Sequence, residues 1–70
     1  MNKNLTVQNV GILFELGFLS SGVQQFTKGN TIVTFWGYDH IQISTVGNPS
    51  SQIVDTFAKA LQVLEDLGIK

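Results

Sequence analysis

Apolar residues recur at three- and four-residue steps at both ends of the chain and alternate with polar ones in between. At the front, Val7, Val10, Leu13, Phe14 and Gly17 share one face of a helix that Asn4 or Thr6 can cap and that runs to about Leu16. Gly11 costs that helix about 1 kcal/mol relative to alanine, and Ile12 falls off the apolar stripe. At the back, Ile53, Phe57, Ala60, Leu61, Leu64 and Leu67 form a second stripe. Gly47-Asn48-Pro49-Ser50 reads as the opening of that helix, with Asn48 as the cap and Pro49 at the first helical position. Both helices are expected to stop in the same way, at Leu16-Gly17-Phe18 and Leu67-Gly68-Ile69. A glycine just past a helix can turn left-handed, and the residue after it then packs on the last turn, Phe18 toward Leu13 and Ile69 toward Leu64.

Between the helices, Val23 to Lys28, Thr31 to Trp36 and His40 to Val46 read as three strands, with Leu19 to Gly22 as a connection. Gly29-Asn30 makes a two-residue hairpin turn and Gly37-Tyr38-Asp39 a three-residue one. The turns then set Phe26 opposite Val33, Gln24 opposite Phe35, Phe35 opposite Ile41 and Val33 opposite Ile43. Phe26, Val33, Phe35, Ile41 and Ile43 share a core face, so the prediction is an α+β fold, helix, three-stranded antiparallel meander, helix (αβββα), with both helices on one face of the sheet. The chain reads as a single small domain over residues 1–70, with Met1 to Asn4 as a loose tail.

The other face of the sheet is the part that a core does not explain. It is expected to carry Val23, Gln25, Thr27, Ile32, Thr34, Trp36, His40, Gln42 and Ser44, with Trp36 directly across from His40. Tryptophan and tyrosine are enriched among the residues that dominate protein interfaces. The candidate binding residues are therefore Trp36, His40, Gln25, Ile32, Thr34 and Gln42, with Tyr38 in the adjoining turn.

Composition narrows the choice of partner. Only 13% of residues are charged while 43% are apolar, a sparsely solvated surface that favours another protein or a second copy, a homodimer or larger, as partner. Four lysines and no arginine leave nothing to neutralise a run of phosphates, so nucleic acid is disfavoured. The longest apolar stretch, Val10 to Leu19, is about half of what a membrane span needs and contains Glu15, which also argues against a signal peptide. A cytoplasmic location is the resulting expectation.

Catalytic and metal chemistry find little support. There is no cysteine, and one histidine cannot by itself assemble a zinc site. His40 as a general base would need an orienting acid and a nucleophile, and Asp39 is expected to point elsewhere, at the turn. Glu15, Asp39, Asp55, Glu65 and Asp66 read as solvated charges rather than a converging pair. Gly47 to Ser51 could hold an anion at a helix start but lacks an adjacent lysine or arginine. No catalytic residue, metal ligand or cofactor is predicted, and the chain reads as a non-enzyme.

In the order helix, three strands, helix, closed by Leu67-Gly68-Ile69, the chain is similar to the small double-stranded-RNA-binding-like toxins of the HicA family. That resemblance implies a degenerate nucleic-acid-binding domain as the alternative function. The family's glycine-serine-histidine motif is missing, since Tyr38-Asp39 precede His40. The leading expectation is a non-enzymatic interaction or self-association domain, of the kind found among bacterial or phage accessory proteins.

Overall fold

The computed structural model describes residues 1–69. In chain order the elements are α1 (Val7–Glu15), β1 (Leu19–Gly22), β2 (Gln25–Lys28), β3 (Thr31–Trp36), β4 (His40–Thr45), β5 (Ser51–Val54) and α2 (Phe57–Asp66). The strands form one antiparallel sheet in the order β1-β2-β3-β4-β5. The α+β class therefore stands, but the three-stranded meander does not: the sheet has five strands and the order is αβββββα.

Both extra strands come from segments that read as something else. Leu19–Gly22, expected to be a connection, folds back on β2 with Leu19 beside Thr27 and Ser20 beside Phe26. Ser51–Val54, expected to be the first turn of the back helix, instead pairs with β4, which places the partly buried Val54 beside Ile41 against the core. Asn48 forms a turn and not a helix cap, its side chain accepting from the Ser50 N–H at 3.0 Å. The cap of α2 is Thr56, whose hydroxyl accepts from the Lys59 N–H at 3.2 Å. Ile53 accordingly leaves the helical stripe for a strand, and no helix begins at Gly47 to Ser51 to hold an anion. With five strands, the architecture on which the resemblance to the HicA toxins rests is also gone.

The hairpin register agrees with the turns as read. Phe26 pairs with Val33, Val33 with Ile43, Phe35 with Ile41 and Trp36 with His40. The Phe35 N–H donates to the Gln24 carbonyl at 2.8 Å, carrying that pairing one step past β2. Both helices cover the face that holds these residues: Leu13 from α1 and Phe57, Ala60, Val63 and Leu64 from α2 join one buried cluster with Phe18 and the strand residues. Phe26, Phe35 and Phe57 run through it edge to face and stacked, with centroids 6.0 and 6.4 Å apart, and the half-exposed Phe14 meets Phe26 edge to face at 6.0 Å.

The helix ends close as the glycines suggest. Gly17 and Gly68 have φ of 96° and 86°, the Phe18 N–H donates to the Leu13 carbonyl, and the Ile69 N–H to the Leu64 carbonyl, each at 2.9 Å. The front stripe is less buried than its spacing implies, since Val7 is exposed and Leu13 alone in α1 is fully buried.

Candidate functional site

Cross-strand partners share a face of a sheet, so the register defines the uncovered side. One row across it runs Leu19, Thr27, Ile32, Ser44, Ser51, and the next Gly22, Gln25, Thr34, Gln42, Ile53. Trp36 and His40 stand at one end of the next row. The predicted surface is thus assembled: Gln25, Ile32, Thr34, Trp36, His40 and Gln42 lie on one face. Val23 does not join a row and is exposed in the β1–β2 turn.

The two unforeseen edge strands widen this face and add apolar surface. Leu19 on β1 is 71% exposed and Ile53 on β5 is 52% exposed, against 40% for Trp36. None of the paired residues in the two rows carries a charge. Their polar groups are amides and hydroxyls, and the Gln42 amide donates to the Ser51 hydroxyl at 3.1 Å.

At the corner, the Trp36 indole and His40 imidazole stack with centroids 4.3 Å apart and planes 18° from parallel. Asp39 does not point away as expected. Its Oδ1 lies 3.2 Å from His40 Nδ1. The two atoms are close without completing a hydrogen bond, so the buried Nδ1 has no hydrogen-bond partner. Tyr38, exposed at the turn, has the Lys3 ammonium 5.9 Å from its ring centroid.

This corner is held by residues that sequence alone marks as a loose tail. Asn2 and Asn4 are buried. The Asn2 amide donates to the carbonyls of Trp36 (3.1 Å) and His40 (2.9 Å), and its oxygen accepts from the Asn4 N–H (2.8 Å). The Asn4 amide donates to the Asp39 (3.0 Å) and Asp55 (3.2 Å) carbonyls, while Asn9 donates to the Asn4 carbonyl (2.8 Å). The Lys3 N–H adds a bond to the Tyr38 carbonyl at 2.6 Å. Asn2, Lys3 and Asn4 therefore anchor the β3–β4 turn, while Met1 is exposed. No local pattern announces this, because asparagines near a chain end look the same whether solvated or bonded.

Ser44 lies four residues along β4 from His40, about 13 Å by strand rise, out of reach of its ring. Of the other carboxylates, Asp55 pairs with Lys59 at 3.0 Å, and Asp66 accepts from the Gln62 amide at 3.1 Å. Among the described residues no group of three or more histidine, aspartate or glutamate side chains could hold a metal. None of their helices is long and apolar enough to cross a membrane.

Away from the sheet, a cleft of about 380 Å³ lies between the two helices, lined by Ile12, Leu16, Leu61, Glu65 and Ile69. Ile12, without a place on the front stripe, lines this cleft and packs partly buried against the core. No protein-family model, curated protein or solved structure matches the chain.

Proposed function

We propose that this is a non-enzymatic interaction domain that docks through the outer face of its sheet, and that the occupant of that face is a second copy of the chain. The observation that carries this reading is a five-stranded face, uncharged along its paired rows, with Leu19, Trp36 and Ile53 exposed across it. Such a face has little charge to desolvate on docking, and its glutamine amides and threonine hydroxyls both donate and accept. A face of that kind complements itself, which a two-fold pairing requires.

The size of the face sets the strength. Five strands about 4.8 Å apart, a few residues deep, offer on the order of 400 Å² per copy. A standard stable interface uses about 800 Å² per partner, so the association is reversible and weak. Backbone amide chemical shifts tracked through a dilution series test this. Shifts that move with concentration at Thr34, Trp36, Gln42 and Ile53 support the reading. Movement confined to Leu61, Glu65 and Ile69 would place the interface at the helices and overturn it.

A further inference from the structure

We propose that the cleft between α1 and α2 is a binding site for a small organic cation, an ammonium group carried on an aromatic or branched aliphatic body. Ile12 and Leu16 form one wall and Leu61 and Glu65 the other, while Ile69, just past the left-handed Gly68, completes the lining. Each wall is a four-residue step, about one helical turn or 6 Å long. That is too short to seat a partner helix, whereas a volume of about 380 Å³ suits a small molecule.

The surrounding charge selects the sign of the ligand. Asn4, just ahead of α1, donates to the Asp55 carbonyl, just ahead of α2, at 3.2 Å, so both helices start at the same end. Their later turns flank the cleft together. The helices therefore run in the same direction and bring both C-terminal ends, each partly negative, to one side. Neither helix has a basic residue in its last turn. Glu15 and Asp66 end them instead, and Glu65 sets a carboxylate in the wall itself. Among the described residues Glu65 enters no ion pair.

The lysines of the described residues are engaged elsewhere. Lys28 donates to the Leu16 carbonyl at 2.6 Å, which offsets the end of α1 alone. Lys59 pairs with Asp55 at the start of α2, and Lys3 lies over Tyr38 at the β3–β4 turn. Lys70 lies outside the described residues. An ammonium against Glu65 gains a charge-assisted hydrogen bond, and the body behind it covers Ile12, Leu16, Leu61 and Ile69. The site is on the helix side of the sheet, so it stands apart from docking through the outer face.

The test follows backbone amide chemical shifts of the full chain at neutral pH and constant protein concentration. The ligands added are 2-phenylethylammonium, 2-phenylethanol and 3-phenylpropionate, which share an aromatic body and differ in charge. The ammonium should give saturable shifts at the five lining residues. It should bind about two- to fivefold more tightly than the alcohol, the range of an exposed charge pair. The carboxylate should bind most weakly. Equal affinity for all of them, or shifts centred on Thr34, Trp36 and Gln42, would overturn the site.

Glu65→Gln should bring the ammonium down to the affinity of the alcohol and leave the alcohol unchanged. Glu65 is exposed, so the fold should be retained, which circular dichroism checks. A Glu65→Gln protein that still prefers the ammonium by the same factor overturns selection by this carboxylate.

Discussion

The Asn2 side-chain amide spans the mouth of the β3–β4 hairpin, donating at once to the Trp36 carbonyl at 3.1 Å and the His40 carbonyl at 2.9 Å. These are the two residues whose rings stack on each other. A residue only 2% exposed near the start of the chain thus braces the corner of the proposed interface.

Removing that amide should be costly. Asn2→Ala leaves two carbonyls and the Asn4 N–H without their side-chain partner, and should lower stability by about 1–3 kcal/mol in denaturant unfolding. It should also change the Trp36 emission of the folded state, which a substitution acting on overall stability alone would leave unaltered.

Two glycines of α1 and its end should respond with opposite signs. Gly17 sits at φ 96°, and a Cβ there would lie 3.2 Å from Lys28 Cε. Lys28 in turn donates to the Leu16 carbonyl at 2.6 Å, tying β2 to the end of the helix. Gly17→Ala should destabilise by about 1–2 kcal/mol, through the left-handed backbone and the displaced lysine. Gly11 lies within the helix with nothing within 4 Å of an added Cβ, so Gly11→Ala should stabilise by about 0.5–1 kcal/mol. Thermal melts of the two variants check both signs.

These glycines also show how much of the fold the sequence carries in local form. Gly17, Gly68 and the turns at Gly29-Asn30 and Gly37-Tyr38-Asp39 each demand a particular backbone, so the helix ends and the register of β2, β3 and β4 could be read directly. The edge strands could not. Ile53 stands four residues before Phe57 and so continues a helical stripe, while Asn48-Pro49 imitates a helix start. The signals for β5 were the adjacent β-branched Ile53-Val54 and the threonine that caps α2, Thr56. In β1, Ser20-Ser21-Gly22 has no strand character of its own, and the pairing with β2 supplies it. The site was legible where alternation along a strand decides the face, at Gln25, Ile32, Thr34, Trp36, His40 and Gln42. It was not legible where contact is long-range, as for Asn2 and Asn4, nor at Asp39, whose direction depends on the turn.

Acid should weaken the protein through one identified group among others. A hydrogen bond from Lys59, with the attraction of its charge, holds the Asp55 carboxyl below the ordinary value of 3.8. A carboxylate whose folded value is depressed stabilises the fold above the unfolded value. That contribution is lost as pH falls through the folded one. Unfolding midpoints measured from pH 5 downward should therefore fall, and Asp55→Asn should show a smaller decline below the ordinary aspartate range. The pair is exposed, so the difference between the two proteins should shrink in high salt.

Trp36 should matter to docking far more than to folding, since it stands outside the buried cluster. Trp36→Ala should keep a cooperative unfolding transition while weakening association. Thr34→Lys, which plants a charge between Gln25 and Gln42 at the middle of the face, should prevent association altogether.

The deciding experiment is the mass in solution by light scattering after size exclusion, over a concentration series reaching about a millimolar to suit an interface of this size. Docking through the outer face predicts a mass that rises toward the dimer with concentration in the natural chain and stays monomeric in Thr34→Lys. A mass that stays monomeric throughout, or a rise that Thr34→Lys leaves unchanged, would contradict it.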